Sequence, residues 1–272
     1  MKHIKFYKYI AMVFIVFVIP SCSDDFLDKA PLDAASDATF FRQASDFENF
    51  LNGLYGNVIR STRQDQLFLQ LEQNTDNIVT TEVFGGIYER SNAGIASQTN
   101  NIWNNQYTFI RSINYMLNSQ DNLETRDEVA DHYIGEGYFM RAFFYFNLLQ
   151  NFGGVPYIDE ALGTSSEDLY KPRDSREFIA TKIIEDLDEA IALLQWKGQG
   201  PAVIGRINKE AALHLKTRVG LYEGTWERYH GAKSSPFAVS GNDGSTFLNA
   251  AVEAGDMLIA CLLYTSPSPR DA

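Results

Sequence analysis

Residues 138–146 read Tyr-Phe-Met-Arg-Ala-Phe-Phe-Tyr-Phe, inside a helical pattern that runs from about Glu128 to Asn151. An ordinary surface helix carries one apolar stripe and one polar face. This segment is aromatic on most faces, so it must be buried on more than one side. A chain that contains it has to surround it with other elements. Gly153-Gly154 predicts the end of the helix, and Pro156 prevents it from resuming.

The surrounding elements also read as helices. Ser45-Asp46-Phe47-Glu48 has capping-box spacing, and Phe47, Phe50, Leu51, Leu54 and Val58 follow at helical intervals. Gly53 and Gly56 weaken that helix and permit close packing. Ile102 to Leu117 predicts a second helix, with Ile110, Ile113, Met116 and Leu117 on one face and Trp103 beside it. Asp174-Ser175-Arg176-Glu177 opens another, with Ala180, Ile184, Leu187, Ile191 and Leu194 as its stripe and Gly198 as its end. Asn208 is a fitting N-cap for the next, which Gly224 should stop. Phe247 to Ala260 opens a sixth. Period-2 alternation is almost absent, and Ile78 to Phe84 is the best strand candidate. The predicted fold class is therefore all-α, with paired helices and long loops in the manner of tetratricopeptide repeats.

The two ends read differently. Lys2, Lys5 and Lys8 precede ten consecutive apolar residues, Ile10 to Ile19. A bilayer span needs roughly 17–25 residues, so this run has the length of a signal-peptide core. Ile19-Pro20-Ser21-Cys22 resembles a lipobox, which implies cleavage before Cys22 and lipidation of its sulfur. Acyl chains there would anchor the chain to a membrane. The acidic stretch Ser23-Asp24-Asp25-Phe26-Leu27-Asp28 resembles a surface-export signal of Bacteroidota lipoproteins; it also reads as a solvated tether. At the other end, residues 261–272 resemble the translation of a sequencing-library adapter, with a genuine Ser/Pro-rich tail as the alternative. The expected organisation is a signal peptide at 1–21, a helical domain portion at 22–260 that continues in the natural chain, and an artefactual 261–272.

Of the 272 residues, 35 are acidic and 23 are Lys or Arg, for a net charge of −12. That charge disfavours a nucleic-acid partner, because phosphates would be repelled. No nucleophile elbow, phosphate loop or zinc-protease motif occurs. His132, His214 and His230 have no ligand spacing and are expected at the surface or at helix caps. No metal, cofactor or catalytic residue is expected. Binding chemistry remains. Sugars are held by flat aromatic rings, with amide, carboxylate and guanidinium groups on their hydroxyls. The loop 76–101 offers Phe84, Tyr88, Arg90 and Asn92 in one polar stretch, and these are the candidate ligand-binding residues. Trp103, Trp196 and Trp226 lie in or beside apolar helices and are expected in the core.

A series of motifs, in order, resembles the SusD/RagB nutrient-binding lipoproteins. After Cys22 come Phe26-Leu27-Asp28 and Pro31, then Phe40-Phe41 and Leu51-Asn52-Gly53-Leu54-Tyr55. Trp103, Tyr107, Ile110 and Asn114 have the spacing of the family's W-x3-Y-x2-I-x3-N helix. Gly135-Glu136-Gly137, Arg141-Ala142, Tyr145-Phe146 and Phe152-Gly153-Gly154-Val155-Pro156 follow, with Gly137 where the family usually has Ala. Gly205-Arg206, Ala211-Ala212, Leu221-Tyr222 and Trp226 complete the series. The resemblance implies a lipid-anchored outer-membrane protein at the cell surface. It implies capture of oligosaccharides or other nutrients, delivery to a SusC-like TonB-dependent transporter, and no enzymatic activity. A protein-binding adaptor without glycan affinity is the alternative function. Because the motifs are mainly structural, the resemblance transfers no ligand site.

Overall fold

In the computed structural model, residues 40–58, 101–239 and 241–262 are described. Their helices are α1 (Ala44–Asn52), α2 (Tyr55–Val58), α3 (Asn101–Asn118), α4 (Glu128–Phe152), α5 (Arg176–Leu193), α6 (Lys209–Ala232) and α7 (Ser245–Leu262). Two short 3₁₀ turns, Gln120–Asn122 and Glu167–Tyr170, complete the regular structure, and no strand occurs among the described residues. The all-α expectation holds there; the strand candidate at Ile78 to Phe84 falls outside them.

The aromatic segment is the centre of the packing. The Asp127 carboxylate caps α4 by accepting the N–H groups of Val129 and Ala130. Gly153 ends the helix in a left-handed conformation, φ 70°. Between these caps Ile134, Met140, Ala142, Phe144, Tyr145, Leu148 and Leu149 are fully buried. Helices α1, α3 and α5 all pack on α4, which explains its apolar circumference. From α3 onward each long helix packs on its successor, the arrangement of a helical-repeat array.

Three arginine–carboxylate pairs join the elements. Arg141 of α4 donates to both oxygens of Asp186 on α5, at 2.8 and 2.6 Å, and to Asn114 Oδ1 on α3 at 3.2 Å. Arg176 at the start of α5 donates to both oxygens of Glu223 on α6, at 2.9 and 2.7 Å, and its guanidinium lies 4.0 Å from the Trp226 ring centroid. Arg206, in the loop after α5, donates to both oxygens of Glu136 on α4, at 2.9 and 2.8 Å. The same guanidinium reaches Glu48 and Asn52 on α1, at 3.2 and 3.0 Å. Two-pronged pairing of this kind fixes orientation as well as distance. It also gives physical roles to the Glu136, Arg141 and Arg206 positions of the motif series.

Several local expectations are corrected. The helix at Phe47 is capped two residues earlier than expected: Gln43 is the N-cap and the Asp46 carboxylate accepts the N–H groups of Arg42 and Gln43, which leaves Glu48 free to meet Arg206. That helix breaks after Asn52 and restarts as the single turn of α2. Ser175 alone caps α5, accepting the Phe178 N–H, while Asp174 turns back to accept the Tyr157 N–H. The α5 helix ends at Leu193 rather than near Gly198. Gly224 does not stop α6, which continues to Ala232. Gly220 and Gly224 instead form the seat for α7: a Cβ at Gly220 would lie 2.5 Å from the Phe247 carbonyl oxygen, and one at Gly224 2.7 Å from Leu248 Cγ. His132 is fully buried rather than at the surface, and its Nδ1 accepts the Gln195 N–H at 3.1 Å. Its Nε2 lies 3.1 Å from Glu136 Oε1 without a well-directed hydrogen bond.

Candidate functional site

The spacing of Trp103, Tyr107, Ile110 and Asn114 puts all four on one face of α3. The chain returning from α4 is tied along that face. Tyr107 Oη donates to the Pro156 carbonyl at 2.7 Å. Asn114 Nδ2 donates to the carbonyls of Ile158 and Glu160, at 2.8 and 3.3 Å. Arg111 Nε donates to the Leu162 carbonyl at 3.3 Å. From α4, Tyr145 Oη accepts the Ile158 N–H at 2.7 Å and lies 2.9 Å from the Ile158 carbonyl, to which it donates. Backbone that would otherwise lack partners is thus satisfied by side chains from two helices. Burial raises the phenol pKa of both Tyr107 and Tyr145, so the hydroxyls keep the protons these bonds need.

Pinning this segment leaves a cleft of about 460 Å³ beside it. Trp103, Tyr107 and Ile110 line the helix side; Pro156, Ile158, Leu162 and Leu169 line the loop side. The volume falls within the range of about 300–1,000 Å³ usual for small-ligand sites. Trp103 is held edge-on by Phe152, with ring centroids 5.2 Å apart, and the Arg173 guanidinium lies 5.1 Å from its centroid. Four polar side chains reach the same space: Arg111, Glu160, Thr164 and Asp168. Glu160 and Asp168 form no ion pair with any described residue. The cleft therefore combines aromatic surface with both donors and acceptors, which suits a hydroxyl-rich ligand with apolar C–H faces.

Phe84, Tyr88, Arg90 and Asn92, together with the lipid-anchor candidate Cys22, fall outside the described residues. The three tryptophans differ from the core expectation: each is only half-buried. Trp226 lies against Arg176, Trp196 has Lys209 Nζ 5.4 Å from its centroid, and Trp103 lines the cleft. A ring of that size packs part of its surface and leaves the rest accessible. The cleft could be anticipated only in part. The one-face spacing on α3 was visible, but the partners of that face come from residues 156–169, which no local pattern connects to it.

An all-α repeat array with a ligand-sized, ring-lined cleft is a binding-protein architecture. A family model described as starch-binding and associating with the outer membrane, SusD-like, matches residues 25–221, and the chain belongs to that family. Two SusD-like proteins of Formosa agariphila are 27% and 25% identical to it, over 68% and 60% of this chain and 38% and 33% of their own lengths. The chain thus spans well under half the length of these relatives. A SusD-like protein from Bacteroides fragilis superposes with a TM-score of 0.62 at 24% identity, covering 85% of this chain and 40% of that one. A SusD homolog from Bacteroides thetaiotaomicron gives 0.63 at 21% identity, covering 82% and 42%. These superpositions show a shared fold.

Proposed function

We propose that the protein is a non-catalytic capture lipoprotein of the outer-membrane surface, anchored through Cys22, that binds carbohydrate and passes it to a SusC-like TonB-dependent transporter. The observation that carries this reading is the family match over residues 25–221, whose description joins starch binding to the outer membrane. The ring-lined cleft supports it chemically, because aromatic surface beside carboxylate and guanidinium groups is what sugar recognition needs. The net charge of −12 suits a soluble body held outside a membrane and disfavours polyanionic partners. Affinity purification of the tagged chain from solubilised outer membranes tests the partnership. A TonB-dependent barrel should be retained with it; a preparation that repeatedly retains none would contradict the reading.

A further inference from the structure

Carbohydrate capture gives no role to the solvent face of α6. His214, Arg218, Leu221, Thr225 and Tyr229 recur there at helical spacing, so they form one stripe about 22 Å long. All five are exposed, Leu221 by 53% and Tyr229 by 60%. The other sides of the helix are occupied. Gly220 and Gly224 seat α7, Glu223 holds Arg176, and Lys216 pairs with Asp188 of α5.

The stripe carries no carboxylate, in a chain with 35 acidic residues. The acids of α6 do not reach it: Glu223 and Glu227 are buried, and both Glu210 oxygens accept the Lys197 N–H. The α4 stretch that it borders is equally free of them. Residues 137–152 contain no Asp or Glu, and Phe146 among them meets Tyr222 of α6 edge-on, with centroids 5.5 Å apart. Arg218 lies 6.0 Å from the Phe146 centroid and forms no ion pair with any described residue. Arg228, exposed on the flank, has Asp243 within electrostatic reach. Arg218 is therefore the cation of this face without a counter-charge among the described residues.

Exposed Leu and Tyr beside an unpaired Arg, with Asp, Glu and Lys kept off the stripe, is closer to the composition of a protein interface than to an ordinary solvated face. The helix is already formed, so docking on it costs no backbone ordering. A positive face on a chain of net charge −12 selects a partner that brings carboxylates. An anionic membrane or a polyuronate presents continuous negative charge to the whole acidic chain and is opposed by it. A peptide segment can instead set one Glu or Asp on Arg218 and an aromatic or aliphatic side chain on Leu221 and Tyr229.

We propose that the α6 stripe from His214 to Tyr229 is a docking surface for an acidic protein segment, with Arg218 as its charge anchor and Leu221 and Tyr229 as its apolar contacts. The proposal goes beyond the capture reading and does not depend on it.

Thermophoresis of the purified, labelled full chain tests it. The probes are a random copolymer of Glu and Tyr, polygalacturonate, and phosphatidylglycerol vesicles. The copolymer should bind at low salt and bind less as salt rises. Arg218→Ala should weaken it about tenfold, and so should the paired change Leu221→Ser with Tyr229→Ser. Arg126→Ala removes the same charge from the α3–α4 connection and should leave binding unchanged. These side chains are exposed, so thermal unfolding should stay near that of the wild type. An equal loss in Arg126→Ala would reduce the effect to net charge, and binding untouched by the stripe variants would place it elsewhere; either overturns the proposal. Vesicles or polygalacturonate binding as tightly as the copolymer would overturn the choice of a polypeptide partner. A copolymer that does not bind at all would end the proposal, with carbohydrate capture unaffected.

Discussion

Glu227 is 7% exposed, and neither of its carboxylate oxygens makes a well-directed hydrogen bond. Burial pushes its pKa up to about 7, and the nearby carboxylates of Glu223 and Glu177 push in the same direction against a weaker pull from Asn242 and Arg176. The folded chain therefore holds this proton more tightly than the unfolded chain, whose glutamates titrate near 4.5. Its contribution to stability is complete below that value and is lost as pH rises toward about 7. Thermal unfolding at pH 5 and pH 8 should show the wild type less stable at the higher pH, with a smaller difference in Glu227→Gln; an equal difference in both would contradict the assignment. Asp186 behaves differently. Burial raises its pKa, but the Arg141 guanidinium pulls it back and holds both its oxygens. Asp186→Ala should cost about 3–5 kcal/mol in denaturant unfolding, because it strands a buried guanidinium. At this scale little was legible in advance. No local pattern marks Asp186 or Glu223, and only the fold shows that each faces an arginine of another element.

Most helix starts and stops could be read from side-chain chemistry, because caps are local. Asn208 caps α6, accepting the Ala211 N–H at 2.9 Å, and Gly153 closes α4, both as expected. One expected stop fails because its glycine serves a neighbour rather than its own helix. Gly224 looks like a stop signal, yet α6 runs through it and uses the missing Cβ to admit α7. Gly220→Ala should push α7 from its seat and lower stability by about 1–3 kcal/mol, as overpacking does; a change within experimental error in denaturant unfolding would show that α7 can shift without cost. Arg206 offers the matching test at the other end. It ties α1 to α4 through Glu48, Asn52 and Glu136. In Arg206→Ala, backbone hydrogen exchange should quicken across residues 44–58 while α6 and α7 keep their protection. Uniform quickening over every helix would mean that Arg206 supports the whole array instead.

For the whole molecule, the all-α class followed from the absence of alternating strands and from one helix that needed cover on several sides. The family could be read from motifs whose residues prove to be the joints of the array: Glu136 with Arg206, Arg141 with Asp186, and Trp103, Tyr107 and Asn114 along the returning loop. The cleft was harder to see because it exists only where α3 and residues 156–169 meet, far apart in sequence. Carbohydrate capture by this array is the proposed activity on which its other proposed roles depend. Affinity electrophoresis of the full chain through gels containing starch, laminarin or mannan tests it most directly. Clear retardation is expected in at least one of these gels; unchanged mobility in every one would rule out carbohydrate capture.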